Sequence, residues 1–155
     1  MIGLLQRVSE ARVLVGGQTI GAIDHGLLVL VCAEKGDSEA NTRRLIEKVL
    51  AIRIFADEAG KMNRSVSDVG GGILLVPQFT LAADTRGGTR PSFSGAAAPE
   101  RGRQLFELAV STARERHSPV ATGRFGAHMQ VGLVNDGPVT IWLRIEPDEA
   151  VRSDA

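Results

Sequence analysis

Gly26-Leu27-Leu28-Val29-Leu30-Val31-Cys32-Ala33 is apolar at almost every position. A strand with one wet face would alternate, so this run reads as a strand buried on both faces. Gly70-Gly71-Gly72 announces a second such run, Ile73-Leu74-Leu75-Val76. Two doubly buried strands need cover above and below, and amphipathic helices supply it on one side. Ser38 caps the first, which runs to about Ile52 with Leu45, Ile46, Val49 and Leu50 at helical spacing. Pro99 suits the first turn of the second, which reaches about His117 and carries Leu105, Phe106, Ala109, Val110 and Ala113 on one face. Further out, residues 2–8, 12–15 and 19–23 read as strands, with Gly16-Gly17 as a hairpin turn. Residues 120–125, 128–134 and 139–145 read as closing strands. The pattern predicts a mixed α/β fold: one β-rich domain over residues 1–146, with mixed or barrel-like sheets and two main helices packed on one side. Residues 147–155 read as a short polar tail.

Composition narrows the function classes. In 155 residues, 18 Lys and Arg balance 18 Asp and Glu. Zero net charge argues against coating nucleic acid or anionic membrane by bulk charge. One cysteine, Cys32, excludes an intrachain disulfide framework and a Cys-rich zinc site. Met1-Ile2-Gly3-Leu4-Leu5-Gln6-Arg7 has no basic stretch before a long apolar run, and no segment approaches the ~18 apolar residues of a membrane span. Cytoplasm is the expected location. Five Phe, one Trp and no Tyr argue against an aromatic stacking platform for single strands.

Local spacing offers no ready catalytic set. His25, His117 and His128 read as solvated or structural, and Cys32, inside its apolar run, as an inert thiol. No His or acidic pair has zinc spacing, so neither a metal nor a cofactor is expected. Three segments carry more. Val76-Pro77-Gln78-Phe79-Thr80-Leu81 takes a buried strand into a long polar loop. It is either a strand stopped by Pro77 or a strand-end site whose freed N–H groups hold an oxyanion. Thr85-Arg86-Gly87-Gly88-Thr89-Arg90-Pro91-Ser92-Phe93 is either a solvated glycine loop or an anion site. With Arg101 and Arg103 it is the one local concentration of basic charge. Asn135-Asp136-Gly137-Pro138-Val139-Thr140 reads most simply as a hairpin turn between two strands.

Taken in order, these segments resemble the D-aminoacyl-tRNA deacylases, also called D-tyrosyl-tRNA deacylases, of bacterial type. Leu5-Gln6-Arg7-Val8, Gly60-Lys61-Met62-Asn63, Thr122-Gly123-Arg124-Phe125 and Met129-Gln130-Val131 fit the same family, so the likeness runs from Met1 to about Ile145. The resemblance implies a cytoplasmic homodimer with active sites at the subunit interface. Its partner is the 3′ end of aminoacyl-tRNA, with no membrane role. It would hydrolyse the ester of D-aminoacyl-tRNA, and of glycine mischarged on tRNA(Ala), as chiral proofreading in translation. It implies that Gly137-Pro138 is a cis pair inserted into the partner's site, where its carbonyls hold the substrate's amino group. Arg7 would bond the Gly–Pro segment, with Met129 packed beside it. Gln78, Phe79 and Thr80 would form the catalytic turn, its main-chain N–H groups holding the oxyanion and the tRNA 2′-hydroxyl helping to activate water. A competing version makes Thr80 a nucleophile, but no base lies at suggestive spacing. Arg86, Gly87, Arg90 and Pro91 would grip the tRNA. One departure is Pro77, where the family usually has Ser. A small-ester hydrolase with a Thr or Ser nucleophile, and a non-enzymatic RNA-binding module, are the alternatives; the first needs no tRNA and the second no turnover.

Overall fold

The computed structural model describes residues 1–147; apart from Pro147, the expected tail lies outside the described residues. β1 (Ile2–Val15), β2 (Gln18–Ile23) and β3 (Gly26–Cys32) open the chain. Residues 2–8 and 12–15, expected as separate strands, are the two ends of β1. One edge of β1 pairs antiparallel with β3 over Ile2 to Val8 and with β2 over Ala11 to Val15. Its other edge pairs antiparallel with β8 (Gln130–Arg144). β3 continues in parallel to β6 (Gly72–Pro77), and β6 to β7 (Val120–Thr122). A two-stranded hairpin, β4 (Phe55–Ala56) with β5 (Met62–Arg64), stands apart.

The six-stranded sheet curls until β2 and β7 nearly meet. A β-carbon at Gly21 would lie 2.5 Å from the Thr122 carbonyl oxygen, so only glycine admits this approach. The doubly buried strands divide their side chains as their composition requires. Leu28, Leu74 and Val76 point into the curled sheet with Val8, Val13 and Ile23. Leu27, Val29, Val31, Ile73 and Leu75 point outward beneath the helices. α1 (Glu39–Ala51) and α3 (Pro99–Arg116) cover that outer face with Leu45, Ile46, Leu105 and Phe106, while α2 (Val66–Val69) is one short turn. Ser38 caps α1 as expected, in a reciprocal box with Asn41, and Pro99 opens α3. No helix among the described residues is long and apolar enough to cross a membrane.

The expected hairpin at Asn135 to Thr140 is not formed. Both flanking runs belong to the single strand β8, because β1 is long enough to pair with each in turn. Thr140 pairs with Gln6 and Asn135 with Val8, so residues 136–139 stand opposite Arg7 alone. The Asp-Gly-Pro signal marks a lateral excursion of the strand, a wide form of bulge, and not a reversal. The strand expected over 120–125 stops at Thr122, which frees Phe125 from the sheet.

Candidate active site

β6 delivers its end into the first motif. The Gln78 N–H donates to the Val31 carbonyl at 2.8 Å, which holds the strand end on β3. The chain then tightens into a 3-10 turn, Phe79–Ala82. Phe79 and Thr80 open this turn, so their N–H groups have no acceptor within it. Leu81 and Ala83 donate back to the Gln78 and Thr80 carbonyls. The Gln78 side-chain amide donates to Thr80 Oγ1. Beneath the turn the Cys32 thiol donates to the Phe79 carbonyl at 3.5 Å. Burial first, then the Glu34 carboxylate, pushes this thiol up to about 11, so it is neutral at pH 7.

The turn forms one lip of a cavity of about 590 Å³. Val31 and Cys32 line it from β3, Phe106 from α3, and Phe125, His128 and Met129 from the segment between β7 and β8. Phe79, 57% exposed, stands edge-on to Phe93 at 5.2 Å, also on the lining. Four of the chain's five phenylalanines line this one cavity. The scarcity of aromatics in the composition hides that concentration. Phe93, Phe125 and His128 did not emerge as site residues from local spacing; the signal for the first two was their place in Arg90-Pro91-Ser92-Phe93 and Thr122-Gly123-Arg124-Phe125. Among the described residues no group of three His, Cys, Asp or Glu could hold a metal ion.

The basic loop rises beside Phe93. Reciprocal backbone bonds between Asp84 and Ser92, 2.7 and 2.9 Å, close its base. Arg86 is already occupied: Nε and Nη2 reach the two Asp84 carboxylate oxygens at 2.9 and 2.7 Å. These bonds hold the Asp84 carboxyl down at about 2 and push the Arg86 guanidinium up. Gly87, Arg90 and Pro91 are exposed, and Arg90 makes no ion pair among the described residues.

Gly137 and Pro138 lie elsewhere. They form the exposed tip of the excursion in β8, joined by a cis peptide bond. Arg7 braces it, with Nε donating to the Asp136 carbonyl at 2.9 Å and Nη1 to the Ile54 carbonyl at 2.8 Å. Met129 is on the cavity wall, just before Gln130, which pairs with Leu14. Asn135 pairs with Val8. Their partners, Leu14 and Val8, are six positions apart along β1, roughly 20 Å at strand rise. Within one chain, therefore, the Gln78–Phe79–Thr80 turn and Met129 come together, while Arg7, Gly137 and Pro138 form a separate group.

Comparison with known proteins agrees with the fold and the motif order. The family model described as D-Tyr-tRNA(Tyr) deacylase matches residues 4–144. A D-aminoacyl-tRNA deacylase of Paracidovorax citrulli (strain AAC00-1) is 66% identical over 153 residues, 99% of each chain. One of Herminiimonas arsenicoxydans is 64% identical over 147 residues, 95% of this chain and 99% of the relative. Among solved structures, the c-Myc DNA unwinding element binding protein superposes with a TM-score of 0.90 at 38% identity, covering 94% of this chain and 99% of that one. A probable eukaryotic D-amino acid tRNA deacylase, at 17% identity and TM-score 0.79 over 93% and 98% of the two chains, shares the fold. A family match across nearly the whole length, with relatives about two-thirds identical, leaves one conclusion: the chain belongs to the D-aminoacyl-tRNA deacylase family.

Proposed function

We propose that this protein hydrolyses the ester between a D-amino acid and the 3′-terminal ribose of tRNA, in the cytoplasm, as a homodimer whose active sites each draw on two copies. The observation that carries the mechanism is the opening of the 3-10 turn at Phe79 and Thr80, whose two N–H groups have no acceptor within the turn and lie at the lip of an apolar cavity. Donors fixed in that way stabilise charge that develops on a carbonyl oxygen without reorganising at the moment of reaction. The terminal nucleoside enters the cavity, whose size lies in the range of small-ligand sites. The ester carbonyl meets the turn. Water, activated with help from the tRNA's own 2′-hydroxyl, attacks the carbonyl carbon. The tetrahedral oxyanion collapses and the ribose oxygen leaves with a proton.

The main chain at Thr80 acts and its hydroxyl does not, because that hydroxyl accepts from Gln78, a neutral donor and no base. The neutral Cys32 thiol supports the turn without attacking. Pro77 lacks the family serine's hydroxyl but leaves the Gln78 anchor to Val31 intact, and Pro77→Ser is expected to change the rate less than about tenfold.

Selection falls to Gly137 and Pro138 of the second copy, braced by Arg7, since the tip stands clear of its own chain's cavity. With their carbonyls holding the amino group, an L side chain points into this wall and a D side chain points to solvent. Glycine has no side chain to reject, so glycine mischarged on tRNA(Ala) is also cleared. Arg90, with the main chain at Gly87 and Pro91, contacts phosphate near the 3′ end, and Arg86 joins only by sharing itself with Asp84. The test is hydrolysis of D-Tyr-tRNA and L-Tyr-tRNA offered separately. Turnover of the D ester alone is expected, and equal hydrolysis of both, or of neither, would overturn the proposal.

A further inference from the structure

The tip of the excursion has nothing of its own to hold it. Gly137 has no side chain and Pro138 no N–H. Opposite four residues of β8 stands only Arg7, so the regular ladder is interrupted there. Arg7 secures the leading foot through the Asp136 carbonyl. The trailing foot is secured by a side chain that neither composition nor local spacing singled out. Asn135 Oδ1 accepts from the Val139 N–H at 2.7 Å. Its Nδ2 donates to Thr140 Oγ1 at 2.9 Å and reaches the Val139 carbonyl at 3.4 Å. One planar amide thus bridges the point where the strand departs from β1 and the point where it returns.

We infer that Asn135, seated against Thr140, is a positioning residue for chiral selection: it closes the loop of residues 136–139 and sets the direction of the Gly137 and Pro138 carbonyls. The inference rests on the proposed function and deepens it. The ladder resumes only at Thr140, opposite Gln6, so with Arg7 alone Gly137 to Val139 would be tied at Asp136 and Thr140 but not to each other, and a wall that shifts between those ties no longer separates D from L. Asn suits the position because one group offers an acceptor to the Val139 N–H and a donor to the Thr140 hydroxyl. Asp keeps the acceptor and can take a hydrogen bond from the Thr140 hydroxyl, so it preserves both links. Ala keeps neither. Thr140→Val removes one.

The experiment compares kcat and KM for D-Tyr-tRNA and L-Tyr-tRNA, together with the melting temperature, in wild type, Asn135→Ala, Asn135→Asp and Thr140→Val. Loss of the clamp bonds should cut the D-over-L ratio of kcat/KM about tenfold or more in Asn135→Ala, mainly through kcat. Thr140→Val should fall between that variant and wild type, and Asn135→Asp should recover most of the ratio. A purely structural asparagine would lower the melting temperature and both rates together, leaving the ratio unchanged, and that result overturns the inference. If Asn135→Ala does not fold, Thr140→Val decides: a reduced ratio supports the clamp and a wild-type ratio overturns it. A selective wild type with equally selective variants sinks the clamp alone. A wild type that does not distinguish D from L sinks the proposed function with it.

Discussion

Gly137 combines a φ of 149° with crowding that only a missing side chain tolerates. A β-carbon there would lie 2.7 Å from Val139 Cγ2, 2.8 Å from the Val139 nitrogen and 3.3 Å from Arg7 Nη2. Gly137→Ala must therefore displace the tip. The expected outcome is a fall in kcat/KM on D-Tyr-tRNA of at least tenfold, ~1.4 kcal/mol, with the circular dichroism of the folded protein retained; unchanged kinetics would contradict the role given to the tip. Cys32 makes a different prediction. Its thiol, held up at about 11 by burial, is neutral in both folded and unfolded chains below the ordinary thiol value of 9.0. The stability it contributes is intact below that value and is lost as pH rises towards 11, because the unfolded chain ionises first. Denaturation midpoints should be flat in this respect at neutral pH and drop between about 9 and 11, and the drop should be smaller in Cys32→Ala. Iodoacetamide labelling of the folded protein at pH 7 should be slow.

At the scale of elements, β3, β6, α1 and α3 were legible because each is announced locally. Continuous apolar runs report burial on both faces, and Ser38 and Pro99 report helix starts. β8 was not legible as one strand. Asp-Gly between two apolar runs normally marks a reversal, and only the length of β1 makes a straight path with a lateral excursion available. Arg86 and Arg90 look equivalent in sequence, but Asp84 holds Arg86 in a two-bond pair. Arg90→Ala should raise KM for charged tRNA more than Arg86→Ala, and salt titration should show the same order. Asp84, held down at about 2, remains ionised well below the ordinary carboxylate value of 3.8. Its pair supports the loop at every pH above that value and is lost as pH falls towards 2. Carboxyl chemical shifts of Asp84 followed by NMR should titrate in that low window; a midpoint near 4 would mean the pair does not form in solution.

Over the whole molecule, the separation of the Gln78–Phe79–Thr80 turn from Gly137 and Pro138 is the consequential feature. Within a single copy the tip stands opposite Arg7 on β1 and is no part of the cavity lining, whereas Gln78 and Phe79 are. Specific activity should therefore fall on dilution in step with dissociation measured by sedimentation, and activity that stays constant per chain through dissociation would show that one copy suffices. Exposed Val134 and Trp142 on the edge strand β8 provide apolar surface for such an association. The shared core predicts a separable effect. Leu75 is fully buried beneath the helices, so Leu75→Ala should cost about 2–5 kcal/mol in urea unfolding while leaving the D-over-L ratio of the folded protein unchanged.

By itself the amino-acid sequence determined the buried strands, the capped helices and the ordered motifs that carry the family resemblance. Periodicity and capping are local, and each writes itself into neighbouring residues. Tertiary structure decided the rest. It chose β1 as the common partner of both halves of β8, turned the expected hairpin at Gly137 into a clamped tip, and paired Arg86 with Asp84 while leaving Arg90 open. It also gathered four scattered phenylalanines into one cavity beside Thr80. Those outcomes depend on which distant segments meet, and strand pairing and packing are settled by competition among all partners at once, so no local window of sequence contains them.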